Sequence, residues 1–260
     1  MASETVPARV RDAYADWRWT PAWVYDDRVT TWRLEHRGET RYLKVKPTNA
    51  VVSLRREAEA MRWAANYVRV PEVLEDGSAD GLDWLITAPM PGVPAHEAKE
   101  HMEPERIVEV AAKGLRRFHE SLPVADCPIS FTVAEALGLT RDRIDAGLIP
   151  WTDVHDVHMD MTLEDAYARL VATAPASEDL VVCHGDYCFP NMLLEGDEVT
   201  GYLDLGELGV SDRWWDVAVG MWSTTWNVGP GYEELFAVSY GVELDPAKIA
   251  FFRLLYDMVP

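Results

Sequence analysis

Cys183-His184-Gly185-Asp186-Tyr187-Cys188-Phe189-Pro190-Asn191, followed by Asp204-Leu205-Gly206, is the stretch that decides how this chain folds. It sets Asp186 ahead of Asn191 in the frame D-x-x-x-x-N. Two short apolar segments follow, Met192 to Leu194 and Thr200 to Leu203, separated by the turn Glu195-Gly196-Asp197-Glu198. Apolar runs of this length around a Gly/Asp turn predict a β-hairpin. Antiparallel pairing would bring Asn191 and Asp204 side by side at its open end. An amide oxygen and a carboxylate so held suit Mg²⁺, a hard cation that prefers oxygen and also binds substrate phosphates. Asp186, just upstream, is then placed to accept a hydrogen bond from an attacking hydroxyl. The pattern is that of a kinase catalytic loop followed by a metal-binding aspartate, written here as HGD-x-x-x-x-N and DLG.

The segment His184 to Asp216 resembles the aminoglycoside O-phosphotransferases, in particular the branch that modifies a 3' or 3'' hydroxyl. The resemblance implies transfer of phosphate from ATP (or GTP) to an antibiotic. It also implies an α+β, two-lobed protein-kinase-like fold, with a small antiparallel-sheet N-lobe and a larger, mainly helical C-lobe. Residues 1–87 are then the nucleotide-binding lobe, 88–92 the hinge and 93–260 the catalytic and acceptor-binding lobe.

Length and composition agree with a globular protein: 260 residues, 48% hydrophobic, suffice for two modest lobes with real cores. Lys and Arg number 24 against 44 Asp and Glu, a formal charge of -20. That balance argues against nucleic acid or an anionic membrane as partner and favours a cationic small molecule. No basic leader and no run of 18 apolar residues occurs, so a cytoplasmic protein is expected, as a monomer or weak dimer. The cysteines, Cys127, Cys183 and Cys188, form no disulfide framework, and a zinc site with His184 lacks a local fourth ligand.

Along the chain, a helix is expected from Pro7 to about Trp17, then strands at 22–25, 31–36 and 40–46, with a turn at Arg37-Gly38-Glu39. The loop Asp26 to Thr30 would cover the nucleotide phosphates. It contains no glycine, so its binding would rest on backbone amides and the hydroxyls of Thr30 or Thr31. By the resemblance, Lys44 on its strand is the phosphate-binding lysine, with Lys46 on the same face. Glu57, in a helix spanning 51–67, is its partner, with Glu59 as the competitor. Strands at 70–73 and 84–87 should flank a turn at Asp76-Gly77-Ser78. The Pro/Gly cluster Ala88 to Pro94 marks the hinge, with backbone contacts to the adenine from Ala88 and Met90.

Glu105 to Leu122 has helical spacing, and His119 near its end reads as a packed histidine. In the resembling family the insert over 132–170 offers carboxylates to the acceptor's ammonium groups, here Asp153, Asp156 and Asp160. Glu207, Trp226, Asn227 and Asp257 occupy the family's other acceptor positions. Glu207 replaces a frequent basic residue, and Trp226-Asn227 replaces an acidic pair. Ser211 or Asp212 would cap a helix through Trp222, Asp216 would brace the catalytic loop, and Asp245-Pro246 would start a final helix. Two other readings stay open: a small-molecule kinase of the same fold acting on another antibiotic or metabolite alcohol, and a nucleotide-binding pseudokinase-like module.

Overall fold

The structure is a computed structural model that describes residues 6–26, 29–48, 53–149, 151 and 154–259. It divides into two compact units, residues 1–92 with 201–207, and residues 93–200 with 208–260.

The first unit opens with helix α1 (Ala8–Ala13) and continues into strands β1 (Arg18–Asp26), β2 (Val29–His36) and β3 (Glu39–Pro47). Between β2 and β3, Arg37 and Gly38 both have positive φ, 50° and 87°, as a tight two-residue hairpin turn requires. Helix α2 (Leu54–Ala64) follows, then β4 (Val73–Ala79) and β5 (Leu82–Thr87), completing an antiparallel sheet in the order β1-β2-β3-β5-β4. Along β3, Leu43 and Val45 point into a core shared with Val10, Tyr14, Leu34, Trp84 and Ile86. Strand alternation therefore turns Lys44 to the opposite face, the one that α2 covers. On α2 the buried residues Leu54, Glu57, Ala58, Met61 and Ala64 recur at helical spacing, so Glu57 sits on the face turned to the sheet. The Ser53 hydroxyl caps this helix by accepting from the Arg56 amide.

One expected turn is corrected. Asp76-Gly77-Ser78 lies inside β4, and residues 70–72 precede the strand. The reversal comes at Asp80-Gly81, with φ of 57° and 77°. Gly77 is paired with Trp84, and a Cβ at position 77 would run into the indole. The glycine provides a close approach rather than a bend.

The second unit begins with the two-residue strand β6 (Val93–Pro94), directly after the expected hinge. Its helices are α3 (Pro104–Ser121), α4 (Val133–Asp145) and α5 (Leu163–Thr173), then α6 (Trp214–Asn227), α7 (Glu233–Tyr240) and α8 (Pro246–Met258). Strand β7 (Leu180–Cys183) leads into the catalytic segment, and β8 (Met192–Glu195) and β9 (Glu198–Tyr202) form the expected hairpin. The last two residues of β9 pass into the first unit. Strand β10 (Gly209–Asp212) pairs antiparallel with β7. Residues 201–207, assigned from the sequence to the second lobe, pack instead with the first unit: the Tyr202 amide donates to the Arg69 carbonyl, and Asp204 reaches Lys44. Asp245 accepts from the Ala247 and Lys248 amides and caps α8, with Pro246 at its first position. Among the described residues no helix is long and apolar enough to cross a membrane.

Candidate active site

In the first unit, three side chains meet at one ammonium. Lys44 Nζ lies 3.2 and 3.0 Å from the two Glu57 oxygens and 2.7 Å from Asp204 Oδ1. Burial works against the charged lysine, but the nearby Asp204 and Glu57 carboxylates outweigh it and raise its pKa. For Glu57, burial pushes the carboxyl upward and the Lys44 charge opposes it. Of the competing residues, Glu59 is exposed and pairs with Arg55 one turn earlier. Asp204 has φ of 56°, a conformation that Asp and Asn adopt more readily than most side chains.

The expected loop Asp26 to Thr30 is shorter than predicted: Asp26 ends β1 and Thr30 is the second residue of β2, opposite Val45, while residues 27 and 28 lie outside the described residues. The Ala88 amide donates to the Glu72 carbonyl at 2.9 Å. The Ala88 amide is therefore committed within the first unit. Glu207 lies near Arg56, whose charge it supports.

In the second unit, the catalytic segment is tied down almost atom by atom. Buried Asp216 accepts from the His184 amide at 2.6 Å, the Gly185 amide at 2.9 Å and His119 Nε2 at 2.9 Å. His119 Nδ1 bonds the Tyr240 hydroxyl at 2.7 Å. His119, Cys183 and Asp216 are close enough to suggest a metal cluster, but these hydrogen bonds make them a brace. Gly185 has φ of 92°, which a side chain would strain, and its carbonyl accepts from Trp215 Nε1 at 2.7 Å. The Phe189 amide is held by the Ser223 hydroxyl, and the Tyr187 hydroxyl by the Ala111 carbonyl.

Asp186 emerges half-buried from this frame. Its Oδ2 accepts from Asn191 Nδ2 at 2.7 Å, and its Oδ1 accepts from the Tyr256 hydroxyl at 2.9 Å. Asn191 Nδ2 also donates to the Asp186 carbonyl. With the amide nitrogen so committed, the Asn191 oxygen is the side-chain atom that could ligate a cation. An amide oxygen and the Asp204 carboxylate are the donor types that fit Mg²⁺.

Among the acceptor candidates, Asp257 and Trp226 both contact His155. Asp156 and Asp160 are exposed, Asp156 as the first residue of a short 3-10 turn and Asp160 two residues beyond its end, and Asp153 lies outside the described residues. Asp257, on the last turn of α8, is only 3% exposed: Oδ1 lies 2.5 Å from His155 Nδ1 and Oδ2 2.5 Å from His158 Nδ1. Burial raises its pKa, but the two imidazole hydrogen bonds prevail and hold it below the ordinary carboxylate value. The imidazole of His155 is in turn stacked on exposed Trp226 at 4.7 Å and 9°. The Asn227 amide donates back to Ser223. Sequence reasoning missed Tyr256 and the two histidines on Asp257. Their partners lie 70 to 102 residues away, beyond the reach of any local pattern.

Residues 25–252 match the family described as "Phosphotransferase enzyme family", APH. Among curated relatives, an aminoglycoside 3'-phosphotransferase of Streptomyces fradiae is 37% identical, the match covering 80% of this chain and 81% of the relative. One of Niallia circulans is 32% identical over 84% and 83%. Among solved structures, the aminoglycoside-3'-phosphotransferase of type VIII matches with a TM-score of 0.84 and 30% identity over 96% of both chains. APH(3'')-Id from Streptomyces rimosus, in complex with ADP and streptomycin, matches with a TM-score of 0.78 and 26% identity over 96% of this chain and 95% of that one. A two-lobed kinase fold, the HGD-x-x-x-x-N and DLG signatures and a match across most of the sequence lead to one conclusion: this chain belongs to the APH phosphotransferase enzyme family.

Proposed function

We propose that this protein transfers the γ-phosphate of ATP or GTP to a 3' or 3'' hydroxyl of an aminoglycoside, and so protects a cell that makes it from the antibiotic. The observation that carries the reading is the carboxylate of Asp186, oriented by Asn191 on a loop that Asp216 braces. Asp186 is the base that orients the acceptor hydroxyl and takes its proton late in an in-line transfer. Lys44, positioned by Glu57, holds the phosphates, and the hydroxyl of Thr30 contributes from the start of β2. The backbone of Ala88 and Met90 receives the adenine. Asn191 and Asp204 would hold Mg²⁺, whose chemistry when bound is to neutralise charge on the β- and γ-phosphates. Asp153, Asp156, Asp160, Glu207, Trp226, Asn227 and Asp257 are the proposed acceptor contacts, and the cytoplasm, where nucleotide is abundant, is the proposed compartment.

A second reading has one observation in its favour. Asp257 is already saturated by two imidazoles, and Trp226 offers an aromatic face. Both would suit an acceptor with fewer ammonium groups on the same fold. Nucleotide consumption across a panel of deoxystreptamine aminoglycosides, streptomycin, hygromycin B, a macrolide and neutral sugars separates the two, followed by NMR location of the phosphate on the product. The first reading expects turnover of an aminoglycoside with a KM that rises with ionic strength. Preference for a neutral acceptor, with no salt dependence, would overturn it.

A further inference from the structure

The last turn of α8 delivers a phenol to the proposed base. Tyr256 donates to Asp186 Oδ1 at 2.9 Å while Asn191 holds Oδ2 at 2.7 Å, so each carboxylate oxygen has its own donor and the carboxylate plane is set from two sides. One donor lies five residues away on the same loop, and the other arrives from a helix 70 residues later in the chain. That helix end is itself anchored. The residue after Tyr256 is Asp257, gripped by His155 and His158, and α8 packs along α6. Cys188 Sγ, 3.9 Å from the same phenol oxygen, is a partly exposed thiol whose pKa desolvation and the Asp186 charge push well above the ordinary value, so the phenol's neighbour there is uncharged.

We propose that Tyr256 is a positioning residue for phosphoryl transfer: its hydroxyl fixes the rotamer of Asp186 so that the remaining lone pair of the carboxylate meets the acceptor hydroxyl in line with the phosphate. This inference rests on Asp186 being the base. A carboxylate on a half-buried loop has two soft torsions, and a transfer that depends on alignment loses rate when either one wanders. Asn191 alone restrains one oxygen. Tyr256 supplies the second point, and it does so from an element that also carries Asp257, one of the proposed acceptor contacts, so the acceptor wall and the base are set by one helix end.

The test compares Tyr256→Phe, Tyr256→Ala and Asp186→Asn in the full chain, with ATP and an aminoglycoside from the panel. Phenylalanine keeps the ring and its packing and removes only the hydroxyl. Tyr256→Phe should lower kcat about ten- to fifty-fold and leave the nucleotide KM and the thermal midpoint unchanged, and its crystal structure should show Asp186 in more than one rotamer. A merely structural role for the ring predicts that Tyr256→Phe is fully active and Tyr256→Ala is not, and that result would overturn the proposal. A gain in turnover in Tyr256→Phe would overturn it too, by showing that the phenol competes with the acceptor for the carboxylate. Retained turnover in Asp186→Asn would instead remove the base assignment beneath it.

Discussion

The ammonium of Lys44 is shared by Glu57 Oε2 at 3.0 Å and Asp204 Oδ1 at 2.7 Å, one carboxylate being 4% exposed and the other 41%. The deeper carboxylate is the one that depends on the pair. Lys44→Met would leave Glu57 charged in a buried place, and breaking a buried pair from one side costs about 3–5 kcal/mol. Urea unfolding should show a loss of that order, and a smaller one for Lys44→Met combined with Glu57→Gln. Because the lysine pKa is raised, its contribution is fully present below the ordinary value of 10.5 and is lost only as pH rises through the higher folded value. The stability gap between wild type and Lys44→Met should therefore stay constant from pH 7 to pH 10.

Asp216 satisfies two backbone amides and one imidazole in a site with no access to water. Asp216→Ala orphans all three donors, each at about 1–3 kcal/mol. The expected outcome is a protein that is largely unfolded or aggregated at 37 °C, read by circular dichroism and size exclusion. Asp216→Asn, which keeps one acceptor oxygen, should be recoverable at lower temperature with a disordered catalytic loop.

Asp257 carries a pH signature of opposite sign to Lys44. Its folded pKa lies below the ordinary 3.8, so its stabilisation is complete above that value and drains away as pH falls through the depressed one. The stability difference between wild type and Asp257→Asn, measured by urea unfolding, should be largest near neutral pH and should shrink below pH 4.

Gly77 faces the indole of Trp84 across β4 and β5 with no room for a methyl group. Gly77→Ala should lower stability by about 1–3 kcal/mol through overpacking, although alanine is the better residue for an extended chain. Pairing it with Trp84→Leu should recover part of the loss. Full additivity of the two substitutions in urea unfolding would contradict the proposed clash.

Gly77 also marks a limit of sequence reading. Asp-Gly-Ser has the composition of a turn, and so has Asp80-Gly81 four residues on; only the second reverses the chain, because the first is claimed by an aromatic neighbour across the sheet. The hairpin after Asn191 was legible because its pattern is local: two apolar runs around a Gly-Asp turn. Glu57 over Glu59 came from the family resemblance rather than from a local pattern, and α2 turns Glu57 to the covered face. Helix α7, of eight residues, and strands β7 and β10, of four residues each, were too short to leave a period. His155, His158 and Tyr256 looked like ordinary polar residues, since what makes them informative is a partner on a distant helix.

The three thiols should respond to an aromatic disulfide reagent in an order set by depth. Burial raises all three pKa values, most strongly for Cys183 and Cys188. Cys127 and Cys188, both partly exposed, should react in the native protein, Cys188 the more slowly because its pKa is raised further, with buried Cys183 appearing only on unfolding. Native reaction of Cys183 at the rate of Cys127 would contradict that order.

The left-handed backbone at Asp204 also bears on how such a protein decays over generations. Few residues tolerate that conformation cheaply: glycine, asparagine and aspartate itself. Two of those three delete the charge while keeping the chain path, and each is a single-base change from an aspartate codon. Drift at this position therefore tends to leave a soluble, intact shell without chemistry, whereas drift at Asp216 tends to remove the protein altogether.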